Sequence, residues 1–304
     1  MRIAYLLLAH NSPNHLQRLL NALRYNDDDF YIHVDRKSVC SFDNIVGERI
    51  FFTRESIPVY WGEFSQVETI LMLIRQALDS CNKYDYFILL SGSDYPIRSP
   101  EYIHRYLGNN YGDEFINIVK IPNDEFGKPL TRITEYRVGS DKPLKRFIYE
   151  KIVGFRKLFG AGYFKRDYTD TFLGIVPYAG STWWALSREA CSYIVSFTDS
   201  HNECFEFFRN TLCPDEMFFQ TVIGNSEFKK RVRHNVTYVD WDRFCPPFPA
   251  WINGWHTDYF KENRPIFDSD AYGMSEMLFA RKFADDSELL TEKIDEWLCD
   301  DFEK

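Results

Sequence analysis

A chain of 304 residues that is 45% hydrophobic and 17% aromatic has material for one large core or two closely packed lobes. Its net charge of −9 argues against general nucleic-acid binding, which needs a basic footprint. Seven cysteines, an odd number without a CxxC pair, make neither a disulfide framework nor a zinc site, and they suit buried free thiols in a reducing compartment. The apolar run near the N-terminus is about six residues, short of the ~20 that span a bilayer, which predicts a cytoplasmic protein.

Ile3–Ala9 is a continuous apolar run, as expected of a central strand covered on both faces. His10-Asn11-Ser12-Pro13 ends it, and Leu16, Leu19, Leu20 and Leu23 then fall at helical spacing. Phe30–Val34 is a second strand that ends at Asp35-Arg36-Lys37. Strand, helix and strand in this order define an α/β unit, and in open α/β sheets ligands bind beyond the carboxyl ends of the strands. His10 and Asp35-Arg36-Lys37 stand at such ends, and no GxGxxG is present. Ile50–Phe52 is a short strand, followed by Tyr60-Trp61-Gly62 and a helix from Phe64 to about Leu78. Tyr84–Leu90 is a further buried strand, leading to Asp94 in SGSDYP. Ser99 caps a helix that has Pro100 at its first position.

From about Asn123 to Asp170 the pattern weakens, and Lys142, Lys145, Arg146, Lys151, Arg156, Lys157, Lys165 and Arg166 accumulate. A charge run is most often a solvated face, here of an inserted helical hairpin. The functional alternative is peripheral contact of the 142–166 region with a lipid-linked acceptor at the inner face of a membrane. Leu173–Tyr178 and GSTWWALS are strand-like, and Ser187 opens a helix. Pro214 then starts another helix, with Asp215 and Glu216 in its first turn. A carboxylate among aromatic residues is a candidate base with a raised pKa, and Glu216 is preferred over Asp215, which more readily caps the helix. His234–Val239 is a strand running into Asp240-Trp241. A loop rich in Pro and aromatic residues follows, then Arg264-Pro265, a helix near Ala271–Met277, LFARKF, and a helix over Ser287–Leu298.

The segments AYLLLAH, RLLNAL, YIHVDRK, VYWG, YFILLSGSDYPI, GSTWWALSREAC, CPDEMFFQTV, YVDW and LFARKF, in that order, resemble the core-2/I-branching N-acetylglucosaminyltransferase family, which also contains the peptide O-xylosyltransferases. The chain looks like a bacterial-style member without the anchor of the animal enzymes. The resemblance implies one GT-A-like domain over residues 1–304, with a Rossmann-like mixed sheet flanked by helices. Residues up to about 110 would form the nucleotide-binding half, and those from about 111 to 304 the acceptor-binding and catalytic half. It implies inverting transfer from a UDP-sugar, typically UDP-GlcNAc with UDP-xylose as the alternative, to a hydroxyl of a glycan or lipid-linked glycan. Leu8, Ala9, His10, Asp35, Arg36, Lys37 and Tyr60 match the donor-contact segments. Glu216 matches the base, Lys282 the lysine on the diphosphate, and Arg264 is the candidate arginine there. Asp94 stands alone at its strand end, without the second acid of an Asp-x-Asp metal motif, so a metal-free site is expected. Ser181, Trp183, Trp184, Asp215 and Trp241 are assigned to the substrate. A glycoside hydrolase pairing Glu216 with Asp94 or Asp240, and a non-catalytic glycan- or nucleotide-binding protein, remain as readings from other classes.

Overall fold

The computed structural model describes residues 1–299. The first strand, β1 (Ile3–Ala9), lies inside a sheet and uses both of its faces. Ile3, Tyr5, Leu7 and Ala9 enter one core, while Ala4 and Leu6 enter the other. That double burial is why the run is apolar without alternation. Helix α1 (Pro13–Ala22) packs Leu16, Leu19 and Leu20 onto the first face. Strands β2 (Asp29–Val34) and β3 (Ile50–Phe52) extend the sheet in parallel on one side. Helix α2 (Ser65–Leu78) covers the second face with Val67, Ile70 and Ile74. Strand β4 (Tyr86–Ser91) pairs in parallel on the other side of β1. Strand β5 (Asp94–Pro96) then leaves the main sheet, and α3 (Pro100–Asn109) begins where the Ser99 hydroxyl accepts the Tyr102 N–H at 3.2 Å.

The chain continues through β6 (Glu114–Ile116), β7 (Val119–Lys120), α4 (Thr131–Thr134), α5 (Pro143–Lys157) and α6 (Thr169–Phe172). Strands β8 (Tyr178–Ala179) and β9 (Trp184–Ser187) bracket the GSTW turn. Helices α7 (Arg188–Ser200), α8 (Asn202–Phe208) and α9 (Phe218–Gly224) follow, the last preceded by a 3-10 turn over Pro214–Glu216. The remaining elements are β10 (Val232–Arg233), β11 (Thr237–Val239), α10 (Gly254–Asn263), β12 (Phe267–Asp270), β13 (Gly273–Glu276), β14 (Phe279–Arg281) and α11 (Glu288–Leu298).

The main sheet has the order β10-β6-β9-β4-β1-β2-β3, with β9 antiparallel to both neighbours. It is a mixed sheet between two helical layers, the GT-A-like α/β architecture the sequence predicts. A smaller sheet, β11-β14-β5, pairs the C-terminal part of the chain with the segment that follows β4. Both cores draw residues from either side of residue 110: Leu16 and Ile103 pack with Phe260 and Ile294, and Ile70 with Ile194 and Phe218.

Five local expectations change. Residues 271–277 are not a helix; they complete the β12–β13 hairpin, whose turn needs Gly273 at φ +108°. The second half of the stretch 245–260, read as loop, lies in α10 (Gly254–Asn263), started by the Asn253 side chain accepting from the Trp255 and His256 N–H groups. Leu173–Tyr178 is not a strand, because Gly174 turns at φ +93° and only Tyr178–Ala179 pair. The helix after Pro214 begins at Phe218, leaving Asp215 and Glu216 in the 3-10 turn. The basic segment forms one long helix, α5, rather than a hairpin of two. The seven cysteines are free, but only Cys191, Cys204 and Cys213 are buried; Cys81 and Cys299 are exposed.

Candidate active site

The parallel strands β1, β2 and β4 end together, and their ends are held by backbone hydrogen bonds. Leu8 accepts from the Gly92 N–H and Ala9 from the Asp35 N–H, both at 2.8 Å. Asp35 is buried and accepts from the Lys37 N–H (2.9 Å), the Lys37 ammonium (3.0 Å) and the Val59 N–H (3.1 Å). Burial raises its pKa, but these donors prevail and hold it below the usual carboxylate range. The Lys37 ammonium also reaches the Val59 carbonyl and sits 4.6 Å from the centre of the Tyr60 ring. Arg36 and His10 are exposed beside this cluster. Desolvation by the surrounding walls lowers the His10 pKa; Asp35 raises it, and Lys37 and Arg281 lower it further. His10, Asp35, Lys37 and Arg281 therefore share one electrostatic neighbourhood.

Arg281 arrives there at the end of β14, which pairs with β5 so that Arg281 lies opposite Asp94. The Asp94 carboxylate has no exposed surface and accepts from the Ser91 N–H (2.8 Å) and hydroxyl (2.7 Å). Its ion pair with Arg281 is 3.1 Å long. Burial raises the Asp94 pKa against the pull of Arg281 and Ser91, and lowers that of Arg281. Asp94, expected to contact the donor, is instead fully buried and holds Arg281. The Arg281 guanidinium also lies 4.1 Å from the centre of the Trp183 ring. Lys282 projects to the Trp251 ring at 4.4 Å, and its carbonyl accepts from the Ile252 N–H at 2.9 Å. Burial, and then Arg281, lower its pKa. Arg264 is turned onto α11, donating to the Trp297 carbonyl at 3.0 Å with its guanidinium 4.7 Å from that ring. The arginine that shares the cluster at the strand ends is thus Arg281.

Trp183 carries this cluster to the carboxylates. Its neighbour Thr182 donates to Asp215 at 2.7 Å. Asp215 is buried, and one of its oxygens has no hydrogen-bond partner among the described residues. Burial first, and the charge of Glu216 second, raise its pKa to about 6. Glu216 is partly exposed, and one of its oxygens accepts from Lys128 (2.7 Å) and Arg132 (2.6 Å). Burial raises its pKa, but these two cations bring it below the ordinary glutamate value. The expected raised pKa therefore belongs to Asp215, because the cations contact Glu216 while its neighbour faces a dry wall. Ser181 lies in the same turn and its carbonyl accepts from Gln220 at 2.6 Å. Trp184 points into the core at 1% exposure, and Trp241 is exposed beside Asp240.

Two glycines make this turn possible. Gly180 donates its N–H to the Glu216 carbonyl (2.9 Å), and a Cβ at Gly180 would lie 1.6 Å from the Asn117 carbonyl oxygen. Gly62 turns at φ +67° and accepts the Cys213 N–H at 3.0 Å. That bond ties the Tyr60–Gly62 segment to the turn that presents Glu216.

Lys128, Arg132, Thr182 and Arg281 are not among the site residues expected from the sequence. Lys128 and Arg132 are four residues apart in a segment without periodicity, and nothing in the sequence links them to Glu216. Arg281 is adjacent to Lys282 in LFARKF, which is the only signal for it. Asp240 is held by His256 (3.1 Å) and by the Asp242 (2.9 Å) and Arg243 (2.8 Å) N–H groups. With Asp94 buried as well, neither acid offers a free carboxylate to pair with Glu216 as a hydrolase requires.

The mixed sheet with helices on both faces is an α/β fold of the GT-A-like class. The chain belongs to the family described as Core-2/I-Branching enzyme, which matches residues 3–268. A xylosyltransferase of Ciona intestinalis is 28% identical over 253 residues, covering 80% of this chain and 27% of its own length. Xylosyltransferase 1 of Canis lupus familiaris is 30% identical over 256 residues, covering 80% of this chain and 24% of its own. The chain thus spans about a quarter of the length of these relatives. The apo crystal structure of mouse xyloside xylosyltransferase 1 aligns with 92% of this chain and 97% of its own at TM-score 0.35 and 11% identity. Among the described residues no helix is long and apolar enough to cross a membrane.

Proposed function

We propose that the chain is an inverting glycosyltransferase that moves a sugar from a UDP-sugar to a hydroxyl of a glycan or peptide acceptor. The observation that carries this reading is the continuous run from His10, Asp35 and Lys37 through Arg281 and Trp183 to Asp215 and Glu216. A nucleotide diphosphate at the strand ends would meet Arg281 and Lys282. The anomeric carbon would then lie toward Trp183, and the acceptor hydroxyl beside the acids. Glu216 is the base: it is partly exposed, whereas Asp215 is buried against Thr182. Lys128 and Arg132 keep it ionised and oriented, ready to take the hydroxyl proton as the oxygen attacks the anomeric carbon. The UDP oxygen leaves with the bonding electron pair, and Arg281 and Lys282 balance that charge.

The acid at the start of β5, Asp94, is committed to Ser91 and Arg281, which supports charge stabilisation by fixed cations without a metal. The sequence reading favours UDP-GlcNAc, whereas the names of the relatives favour UDP-xylose, and we place xylose first. The test is transfer from a panel of UDP-sugars to glycan and serine-containing peptide acceptors. Glu216→Gln is expected to keep UDP binding and lose transfer by roughly a hundredfold or more, the usual scale for a general base. Transfer retained in that variant moves the base elsewhere. EDTA is expected to leave activity intact, and a loss restored by Mn²⁺ rejects the metal-free reading. A protein that binds UDP but transfers no sugar from any donor overturns the enzyme reading.

A further inference from the structure

We propose that the outward face of α5 lies on an anionic bilayer surface. A helix on a protein surface ordinarily turns its apolar side inward and its charges to water. In α5 the arrangement is reversed. The side toward the protein carries Arg146, half-exposed and paired with Glu63 at 2.7 Å, Tyr149, which donates to the Tyr136 carbonyl, Val153 at 1% exposure, and Arg156, 4.2 Å from the centre of the Phe164 ring. The outward side presents Leu144, Phe147, Ile148, Ile152 and Phe155, and beyond the last turn Leu158, all between 44% and 79% exposed. Their spacing of three and four residues puts them on one stripe. Phe159 joins them, its ring 5.1 Å from that of Phe155. A contiguous exposed apolar stripe of this size marks an interaction surface.

The charges that border the stripe say what it meets. Residues 142–166 carry eight Lys and Arg and one acid, Glu150, in a chain whose net charge is −9; of these cations Arg146 pairs with Glu63, Lys165 with Glu135, and Arg166 turns inward to the Ile133 and Phe207 carbonyls. Among the described residues Lys145, Lys151 and Lys157 have no carboxylate within 4.0 Å. Lys151 emerges within the stripe, 5.4 Å from the Phe147 ring, and Lys157 stands 5.0 Å from the Tyr163 ring. Apolar side chains interleaved with long cations suit the boundary between acyl chains and anionic headgroups, where the stems are buried and the ammonium groups reach phosphate. A second copy of the chain fits less well, because a two-fold pairing on this stripe would bring the same lysines together. At 15 residues and with charges throughout, α5 lies on a bilayer rather than through it. Arg146 links it to Glu63, just after the Tyr60–Gly62 segment, so the bilayer would stand on the side of the molecule that carries this segment.

The proposal does not depend on sugar transfer, because its test reads lipid binding alone. The full chain is mixed with vesicles of phosphatidylcholine, or of phosphatidylcholine with about 30% phosphatidylglycerol, and the bound fraction is measured by flotation. Binding to the anionic vesicles is expected to exceed that to neutral ones at least tenfold and to fall as salt rises. The combined variant Lys145→Gln, Lys151→Gln, Lys157→Gln should lower anionic binding roughly a hundredfold, about fivefold per cation. Phe155→Ser, Leu158→Ser, Phe159→Ser should lower it to background. These positions are exposed, and circular dichroism checks that the variants remain folded. Equal binding to both vesicle types, no binding to either, or unchanged binding by the apolar variant overturns the proposal. So does light scattering that shows a dimer of the wild type and a monomer of the apolar variant, since a second copy then covers the stripe.

Discussion

Asp215 and Glu216 are consecutive in the chain, yet their surroundings are opposite. Glu216 meets two cations within hydrogen-bond distance, while Asp215 meets the Thr182 hydroxyl and otherwise dry protein. Asp215 has its pKa raised from 3.8 to about 6 in the folded chain. Below 3.8 it is protonated in both states and its burial carries no charge cost. Between 3.8 and about 6 the unfolded carboxyl ionises while the folded one keeps its proton, so stability falls across that window and the loss is complete above about 6. Asp215→Asn keeps an acceptor for Thr182 and removes the ionisation. The variant should match the wild type near pH 4 and exceed it at pH 8, by about 1–3 kcal/mol. Urea unfolding at the two pH values measures this. A variant less stable than the wild type at pH 8 would mean that Asp215 is ionised and paired.

At the scale of elements, the turn that carries Asp215 and Glu216 is shaped by backbone contacts more than by its acids. The chain passes Asn117 so closely at Gly180 that a methyl group has no room, and the same residue holds the Glu216 carbonyl. Gly180→Ala should therefore push the residue-180 turn away from Asn117 and strain its hydrogen bond to the Glu216 carbonyl. We expect a stability loss of about 2–3 kcal/mol in denaturant unfolding, the scale of overpacking, together with loss of transfer. Full activity in Gly180→Ala would show that the turn tolerates displacement. Such a contact between positions 63 residues apart in the chain leaves no local mark on the sequence. The same holds for Lys128 and Arg132, and for the choice of Arg281 over Arg264. By contrast, β1, β2, β4 and α2 were legible because burial on both faces, or on one stripe, writes a periodic pattern. Helix α10 was hidden by the aromatic and proline-rich residues before it, and its start rests on Asn253, a cap recognisable only once the helix is known. The outward stripe of α5 was masked by its lysines, which drew attention to charge while the phenylalanines carry the exposure.

Across the whole molecule, the ends of the chain converge on one site. His10 and Asp35 come from the first strands, Arg281 and Lys282 from the last, and β14 joins them by pairing with β5. Each of the two cores contains residues from both sides of position 110, so neither half has a core of its own. Unfolding should then be a single transition, seen alike by far-UV circular dichroism and by the fluorescence of tryptophans as distant in sequence as Trp184 and Trp297. UDP, bound across the seam, should raise the midpoint for both probes together; at a hundredfold excess over Kd the gain is about 2.7 kcal/mol. Lys282→Ala removes one of the cations proposed for the diphosphate without opening a core. It should weaken UDP binding about tenfold, which takes about 1.4 kcal/mol from that gain, and leave the UDP-free midpoint nearly unchanged. Two separate transitions, or a UDP shift seen by only one probe, would show that the halves fold independently and that the cations of β14 do not share the ligand with β1 and β2.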